Sequence, residues 1–397
     1  MNLKGNIELI TPKENRLSPL LKYPGGKERE LKYILPNLPA DAVNYYEPFV
    51  GGGSVYLSVD SEHYFINDKS SELIRLYRLV AEQNEAFLGR LVQIDHNWMN
   101  LSRIVENHKA ELLRIYRRYR RKPGDEQRLS EVINRFVTEH AEEFNGLLND
   151  NFNVAIEHFT QELVKSVCNK IIRMEKLEKK QKELPTEDVA ANLEGAFKSG
   201  FYMHFRYLYN HIEELQIDET FATAIYYFMR EYCYSSMFRY NKEGKFNVPY
   251  GGISYNRKSM SKKAEYFRDE ALVGQLRNTI IANLDFETFF EHYAPGQRDF
   301  IFLDPPYDTE FSSYAGNEFG QNDQIRLADY LIRQCRAYFM LIIKNTDFIL
   351  GLYPDGLATA NGKRLYVNRF DKRYTVSFQD RNDKNAEHLL ITNYPIT

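Results

Sequence analysis

Short apolar runs alternate with longer amphipathic segments along both ends of this chain. The runs are bounded by glycine or turn residues and have the length of buried strands, and they lie at 42–47, 63–68, 299–303 and 338–345. The segment 71–92 has apolar residues at helical spacing and predicts a helix, with Ser70 or Ser71 as its N-cap. Because strands alternate with helices, the pattern predicts a parallel α/β sheet.

The stretch 91–220 has a different pattern. It contains almost no strand-like run and is densely charged. Its apolar residues recur at spacings typical of amphipathic helices, as in Leu112 and Tyr116 and later in Val164, Cys168 and Ile171. We interpret it as a helical insertion that divides one α/β domain.

The chain is nearly neutral as a whole, but two of its segments are strongly basic. The 397 residues carry 52 Lys and Arg against 55 Asp and Glu, a net charge of −3, which excludes a polybasic protein. The segment 103–128 nevertheless has nine basic residues against four acidic ones, and 237–268 has eight against two. Each cluster alone fits a solvated surface equally well, but two of them in an acidic chain favour a polyanionic partner.

The cysteines and the hydropathy of the chain argue against several classes of protein. The three cysteines, Cys168, Cys233 and Cys335, are far apart and form no CxxC motif, which argues against a disulfide scaffold or a cysteine zinc site. The apolar run at 338–343 is far shorter than the roughly 20 residues of a transmembrane helix. The first residues show no signal-peptide pattern, so we expect a cytoplasmic protein without a membrane partner.

A glycine turn follows the first predicted strand. That strand ends at Glu47, and Gly51, Gly52 and Gly53 come before the next element. Glycines let a backbone approach a ligand closely. Asp68 ends the next strand, where doubly wound folds place an acid on a ribose hydroxyl. The pair indicates an adenosine-containing cofactor; the alternative is that Asp68 only caps the helix that follows.

A second glycine-rich segment, KYPGGK at 22–27, superficially resembles a phosphate loop. Glu28 follows Lys27 where that loop requires Ser or Thr, and the glycine spacing is also wrong. Mg²⁺-dependent nucleotide hydrolysis is therefore disfavoured.

The strand at 300–303 runs directly into Asp304-Pro305-Pro306-Tyr307. The prolines stiffen the exit from the strand and offer no N–H, so carbonyl oxygens and the Asp304 carboxylate remain as acceptors at a strand end. Such acceptors suit an exocyclic amine, and Tyr307 offers a flat face for a base. The alternative, an ordinary Pro-Pro turn, is much less favoured.

In these motifs the chain resembles the Dam-like, D12 class DNA adenine N6-methyltransferases with the α-group motif order. The matching segments are LKYPGGK (21–27), EPFVGGGSVYL (47–57), FINDKSSELI (65–74), FRYNKEGKFNVPYGG (238–252), FLDPPY (302–307), FSSYAGNEFGQNDQIRL (311–327) and HLLITNY (388–394). The resemblance implies a Rossmann-like S-adenosylmethionine-dependent sheet with a helical target-recognition insertion and a β-hairpin near 237–258. It implies core segments at 16–90 and 275–397, with the recognition region at 91–274.

The resemblance also implies roles for particular residues. S-adenosyl-L-methionine would be bound by Tyr23, Lys27, Glu47, Phe49, Gly51, Gly53, Asp68 and Asp304, and Asp285-Phe286 would lie near its adenine edge. Asp304, Pro305 and Tyr307 would hold the flipped-out target adenine, with no metal required. The DNA contacts would come from Lys22, Arg239, Asn241, Lys245, Tyr250 and Arg257, with Arg239 on a guanine.

These implications predict a prokaryotic or phage-encoded enzyme that methylates double-stranded DNA, with a cognate restriction endonuclease as a possible partner. Two other functions stay open from the sequence. One is methylation of RNA or of a protein amide, since related tetrapeptides act on those amines. The other is an inactive DNA-binding module, against which the intact DPPY and glycine motifs argue.

Overall fold

The computed structural model describes residues 9–23, 25–147, 154–306, 319–360, 362–373 and 385–396. Two compact units make up the chain. The sheet unit combines Met1–Asn84 with Phe267–Thr397, and the helical unit is Glu85–Tyr266. The boundaries predicted from the sequence, 16–90, 91–274 and 275–397, stay predictions. Among the described residues, no helix combines the length and apolar character needed to cross a membrane.

The strands of the described ranges all lie in the sheet unit. Numbered in chain order, they are β1 (Thr11–Pro12), β2 (Tyr45–Glu47), β3 (Val59–Asp60), β4 (Tyr64–Asn67), β5 (Thr279–Ala282), β6 (Phe300–Leu303), β7 (Tyr338–Lys344), β8 (Tyr366–Arg373) and β9 (Asn385–Thr392). Seven of them form one sheet in the order β5-β4-β2-β6-β7-β9-β8. The strands from β5 to β7 in that order are parallel, and β9 and β8 are antiparallel to their neighbours. This is the predicted Rossmann-like, mostly parallel sheet.

The helices are also numbered in chain order, with α3 to α10 in the helical unit. They are α1 (Leu31–Ile34), α2 (Ser71–Ala81), α3 (Glu85–Asn107), α4 (Lys109–Arg121), α5 (Glu126–Glu139), α6 (Ala141–Asn145), α7 (Ile156–Glu178), α8 (Thr186–Asn210), α9 (Glu219–Tyr232), α10 (Ser261–Tyr266), α11 (Glu270–Arg277), α12 (Phe286–His292), α13 (Gln321–Arg333) and α14 (Asp347–Leu352).

The four strands predicted from apolar runs are confirmed as β2, β4, β6 and β7. The prediction of one helix over 71–92 is wrong, because α2 ends at Ala81 and α3 begins at Glu85. Between them Gln83 adopts a left-handed conformation with φ of 52°. The predicted cap is confirmed at Ser70, whose side chain accepts a hydrogen bond from the Leu73 amide. A single non-glycine residue in that conformation ends a helix without the glycine or proline that sequence analysis looks for.

The core of the sheet unit lies around the central strands. All four residues of β6 are buried, and so is most of β7. The rings of Tyr46 in β2 and Phe65 in β4 stack with centroids 4.4 Å apart. Buried strands of this kind have little freedom to shift, so the residues at their carboxyl ends are held in fixed positions.

Aromatic packing dominates the core of the helical unit. Trp98 is fully buried, and its ring lies within 6.0 Å of four others, those of Phe201, Phe228, Tyr232 and Tyr250. The residues that predicted amphipathic helices are all buried, namely Leu112, Tyr116, Val164, Cys168 and Ile171. The helical character predicted for 91–220 is therefore confirmed for the described residues of that stretch.

Candidate active site

Three acidic residues lie along one edge of the sheet, at the carboxyl ends of adjacent parallel strands. Glu47 ends β2, Asp68 directly follows β4, and Asp304 directly follows β6. Because β4, β2 and β6 are neighbours in register, these residues share the edge at which α/β sheets bind their ligands. The fold thus brings together three acids that are far apart in sequence.

The glycine turn after β2 has the backbone conformation that its sequence predicts. Gly51 and Gly53 have φ angles of 49° and 79°. A Cβ at Gly53 would lie 2.5 Å from the Tyr77 hydroxyl, and one at Gly51 would lie 3.2 Å from Cδ1 of Tyr23. Larger residues would therefore be strained in conformation and would also collide with neighbours. The Tyr23 ring lies against this turn, where the resemblance places a cofactor.

Asp68 joins the glycine turn to the start of α2. Its Oδ2 accepts a hydrogen bond from the Gly51 amide at 3.1 Å, and its Oδ1 accepts one from the Ser70 amide at 2.9 Å. The helix cap itself is the side chain of Ser70. The alternative that Asp68 is the N-cap of α2 is thus wrong, because Ser70 is the N-cap and the Asp68 carboxylate bridges the glycine turn and the Ser70 amide.

Glu47 is a buried acid with a strongly perturbed environment. Its Oε2 accepts hydrogen bonds from the Tyr45 hydroxyl at 2.7 Å and from the Tyr56 amide at 3.0 Å. Burial raises the pKa of Glu47 to about 8, the nearby Asp304 charge contributes to the rise, and the hydrogen bonds and Lys27 oppose it. The site therefore holds a carboxyl group whose ionisation responds to a cation placed beside it.

Lys27, in the KYPGGK segment, contacts Asp304, the residue between β6 and the two prolines. Only 2% of its side chain is exposed, and its ammonium forms an ion pair with Asp304, which is 20% exposed. The ammonium also donates a hydrogen bond to the Gly25 carbonyl at 2.9 Å. The resemblance placed Lys27 beside the cofactor, but it gave no indication of this pair with Asp304.

The turn after Asp304 is held by a residue that sequence analysis missed. Gln324 in α13 is fully buried, and its side-chain amide donates to the Pro306 carbonyl at 3.0 Å. Pro305 is buried and Pro306 is exposed. Tyr307, predicted to stack on the target base, lies outside the described residues, as do residues 311–318 of the matched segment.

A second missed residue ties two strand ends together. Asn67 is the last residue of β4 and is buried. Its amide group donates to the Pro48 carbonyl at 3.1 Å and to the Leu284 carbonyl at 3.0 Å, and its Oδ1 accepts from the Leu284 amide at 2.8 Å. A polar residue at the end of an otherwise apolar strand was the only sequence signal for this role.

An aromatic group lies at the same edge. The Phe49 ring is half-buried and lies 5.8 Å from Phe286 and 5.4 Å from Phe319. Asp285 caps α12 by accepting from the Glu287 amide at 3.1 Å, and it pairs with Arg326 at 2.7 Å. Phe49 therefore offers an apolar surface beside the glycine turn, whereas the Asp285 carboxylate already holds a structural partner.

The comparisons with known proteins agree with this geometry. The family model described as D12 class N6 adenine-specific DNA methyltransferase matches residues 23–194 and 161–368. The chain belongs to this family.

Relatives with similar lengths support the assignment. The chain is 28% identical to the Type II methyltransferase M.MjaIII of Methanocaldococcus jannaschii, across 95% of this chain and 99% of that protein. It is 24% identical to the Type II methyltransferase M.CviBI of Paramecium bursaria Chlorella virus NC1A, across 95% and 100%. It is 25% identical to a DNA adenine methylase of Vibrio cholerae, across 93% and 94%. The chain is thus an adenine-specific DNA methyltransferase.

A tight hairpin in the helical unit of this methyltransferase carries three of the predicted DNA contacts. Tyr240 pairs with Phe246 in antiparallel fashion, and the Asn241 amide donates to the Lys245 carbonyl at 2.8 Å. Arg239 and Lys245 are exposed on it. The Oδ1 atom of Asn241 accepts from the Lys245 amide at 2.8 Å, so this side chain forms the turn. Past this hairpin, 253–255 and 261–266 are helical.

Of the other predicted contacts, Lys22 and Arg257 are exposed, and Tyr250 is half-buried. Its hydroxyl donates to Oδ1 of Asn256 at 2.8 Å, and its ring lies 5.5 Å from that of Trp98. Tyr250 thus packs in the helical unit while it stays half-buried, and its contact with DNA stays a prediction.

Four arginines near the end of α4 differ in their contacts. Arg120 forms ion pairs with Glu178, at 3.1 Å, and with Glu183. Its neighbours on the same helix, Arg117, Arg118 and Arg121, are exposed. Of these four arginines, the exposed three are therefore the ones suited to binding a polyanion.

Proposed function

We propose that this methyltransferase moves the methyl group of S-adenosyl-L-methionine to N6 of an adenine flipped out of duplex DNA, and that Asp304 acts on the amine. The observation that carries this proposal is the position of Asp304 at the end of β6, paired with buried Lys27 and close to Glu47. A carboxylate held in this way is oriented before the substrate arrives, which is how enzyme sites gain most of their electrostatic advantage.

The residues at the strand ends fit the proposed cofactor. The glycine turn packs too closely against Tyr23 and Tyr77 to admit a Cβ, and its backbone lies beside the Tyr23 ring. Glu47 and Asp68 flank the turn with carboxyl groups that suit a cationic amino group and ribose hydroxyls respectively. Phe49 adds an apolar face. When bound, the cofactor would supply an electrophilic methyl group on a sulfonium; transfer to N6 would break the sulfur–methyl bond, leave a neutral thioether and release one amine proton to solvent.

Asp304 and Pro305 would act on the target amine directly. The N6 lone pair is delocalised into the ring, so the amine is a weak nucleophile. Hydrogen bonds from N6 to the Asp304 carboxylate and the Pro305 carbonyl would pull the nitrogen toward tetrahedral geometry and localise that pair. Lys27 would keep the carboxylate in its orientation, and placement of the two reactants would supply much of the acceleration.

The substrate must leave the DNA stack before it can reach this edge. Flipping a base costs a few kcal/mol. Stacking on Tyr307 would return roughly 1–3 kcal/mol of that cost. Arg239 would read a guanine bidentately, while Lys22, Lys245 and Arg257 would bind phosphates and position the duplex.

Product analysis tests this function most simply. The purified protein is incubated with cofactor carrying a deuterated methyl group and, separately, with duplex DNA, RNA and a protein substrate, and the modified products are identified by mass spectrometry. We expect labelled N6-methyladenine from duplex DNA alone. Label on RNA or on a protein amide, or no label at all, would favour one of the two alternatives. Asp304→Asn should abolish the label on DNA, whereas the matched control Asp329→Asn, at an exposed surface ion pair, should keep it.

Two of the relatives are named Type II methyltransferases, and we propose that this protein protects cytoplasmic DNA from a cognate restriction endonuclease. The alternative is a methyltransferase that acts without a partner endonuclease. Sequencing modified bases in DNA from cells that carry the gene would give the target site. Challenging that DNA with an endonuclease of the same site should show protection.

A further inference from the structure

Two His-x-x-Glu pairs face each other in the helical unit, and the proposed methyl transfer uses none of their residues. His108 lies between α3 and α4, with Glu111 in the first turn of α4. His140 lies between α5 and α6, with Glu143 in α6. The sequence analysis predicted no metal site, because the chain has no CxxC motif and the methyl transfer requires no metal; the two pairs, 29 residues or more apart, give no local signal.

The two pairs are crossed in space. His108 Nε2 lies 2.6 Å from Glu143 Oε1, and His140 Nε2 lies 3.4 Å from Glu111 Oε2. The other ring nitrogen of His140, Nδ1, lies 3.9 Å from Glu143 Oε1. One donor atom from each of His108, His140 and Glu143 can be chosen so that all lie within 4.8 Å of one another.

We propose that His108, His140 and Glu143 bind one divalent transition-metal ion of the Zn²⁺ class. Two imidazole nitrogens and a carboxylate oxygen form a donor set that such ions favour. With ligand bonds of about 2.0–2.2 Å, ligand atoms around a tetrahedral ion lie about 3.3–3.5 Å apart. The observed separations of 2.6 and 3.9 Å bracket that range, so small side-chain rotations complete the site.

Glu111 has a separate part as a positioning residue. A hydrogen bond from His140 Nε2 to Glu111 fixes the tautomer in which Nδ1 carries the lone pair for the ion. Carboxylates that accept from the far nitrogen of a ligating histidine are a recurrent feature of metal sites. Glu111 therefore orients a ligand without binding the ion, and the fourth coordination position is left to solvent.

The surroundings suit a site that loads from solution. The side chains of His108 and His140 are 20% and 22% exposed, and that of Glu143 is 38% exposed. The buried ring of Phe136 contacts both imidazoles, with centroids 5.7 and 4.7 Å away, and limits their rotation. A bound ion would connect the α3–α4 junction to the α5–α6 junction and so stabilise the helical unit.

Cobalt substitution tests the site directly. The metal-free, full-length protein is titrated with Co²⁺ while visible absorbance is followed, and Zn²⁺ is then added as competitor. We expect one equivalent of Co²⁺ with bands of low coordination number, displaced by Zn²⁺, and a rise in Tm with Zn²⁺. His108→Gln and His140→Gln should abolish both signals, and Glu111→Gln should weaken binding roughly 10–100-fold.

His96→Gln is the matched control, because His96 is an exposed histidine of α3 outside the cluster. It should leave stoichiometry and affinity unchanged. Absence of saturable Co²⁺ binding by the wild type would overturn the proposal. Binding that persists in the folded His108→Gln and His140→Gln proteins, or that is abolished equally in His96→Gln, would also overturn it. The glutamine variants keep a polar side chain, so we expect them to fold. Circular dichroism of each variant shows whether a lost metal signal comes from the missing ligand or from unfolding.

Discussion

The candidate catalytic residues of the sheet unit and the predicted DNA contacts of the helical unit differ in their exposure to solvent. In the sheet unit Lys27 and Glu47 are 2% and 3% exposed, and each is held by named hydrogen bonds or an ion pair. In the helical unit the predicted DNA contacts Arg239, Lys245 and Arg257 are exposed. Burial of Lys27 and Glu47 carries a considerable desolvation cost, whereas the exposed DNA contacts keep their long side chains in solvent.

This difference matches the two tasks of a DNA methyltransferase. Chemistry requires a carboxylate fixed to within a fraction of an ångström, which only a packed and hydrogen-bonded environment provides. Phosphate binding requires charge of the right sign at a surface, and exposed guanidinium and ammonium groups supply it. Variants in the two units should therefore fail in different ways.

The largest effect is expected for Asp304→Ala. Loss of the carboxylate that acts on the amine should lower the rate of methyl transfer by about 10²–10⁴-fold, while cofactor affinity changes little. Single-turnover methylation and cofactor titration calorimetry measure the two quantities. A variant that keeps near-native turnover would remove Asp304 from the mechanism, and Asp329→Ala at a surface ion pair serves as control.

Glu47→Gln should change how stability depends on pH. The pKa of Glu47 is raised from 4.5 to about 8 in the folded state, so its contribution is fully present below pH 4.5 and is lost as pH rises through 8. At 1.36 kcal/mol per unit of pKa, the change amounts to roughly 5 kcal/mol of unfolding free energy.

Urea unfolding of the wild type and of Glu47→Gln at several values between pH 5 and 9 measures that change. The wild type should lose stability relative to the variant as pH rises. Glu82→Gln, at an exposed helix end, should follow the wild type. Parallel curves for the wild type and Glu47→Gln would show that Glu47 is ionised in the folded protein at neutral pH.

Asp68→Ala should weaken cofactor binding roughly 10–100-fold, because a charged acceptor is removed and the Gly51 amide loses its partner. DNA affinity should change much less. Calorimetry with the cofactor and fluorescence anisotropy with duplex DNA separate the two. An unchanged cofactor dissociation constant would leave Asp68 with only its structural role between the glycine turn and α2.

Arg239→Ala should relax sequence preference rather than remove binding. Removal of a bidentate hydrogen-bonded pair with guanine corresponds to about 1–3 kcal/mol at one base pair. Methylation rates on duplexes substituted at each position of the target would locate that pair. Arg257→Ala, at another exposed arginine in the same basic segment, should weaken binding to all duplexes alike.

The smallest effect is expected from the arginines of α4. Changing Arg117, Arg118 and Arg121 together to Gln should reduce the slope of log affinity against log salt concentration by about 0.9 for each phosphate that is no longer neutralised. Arg120→Gln should instead lower stability, since Arg120 pairs with Glu178 and Glu183. Measurement of affinity and Tm over a salt series distinguishes the two; an unchanged salt slope in the triple variant would leave these arginines as a solvated surface.

Sequence analysis was accurate where the determining signal is local. The apolar run before Asp304 and the glycines after Glu47 predict both a strand and a sharp exit from one, and the structure contains them. The short strand β5 and the antiparallel β8 and β9 were not predicted from hydrophobic pattern, because their pairing depends on distant neighbours. The same reason hid the Lys27–Asp304 pair and the hydrogen bond from Gln324 to Pro306. A local sequence pattern does not show which distant residues contact each other in the folded protein.

One measurement tests most directly whether the sheet unit carries out the chemistry and the helical unit reads the DNA sequence. Single-turnover methylation rates are determined for the wild type, Asp304→Ala and Arg239→Ala, each on the cognate duplex and on a duplex with one base pair changed. We expect Asp304→Ala to lower both rates by the same large factor and Arg239→Ala to reduce the ratio between the two rates. An Asp304→Ala protein that changes the ratio, or an Arg239→Ala protein that lowers both rates equally, would contradict the assignment of chemistry to the sheet unit and of sequence reading to the helical unit.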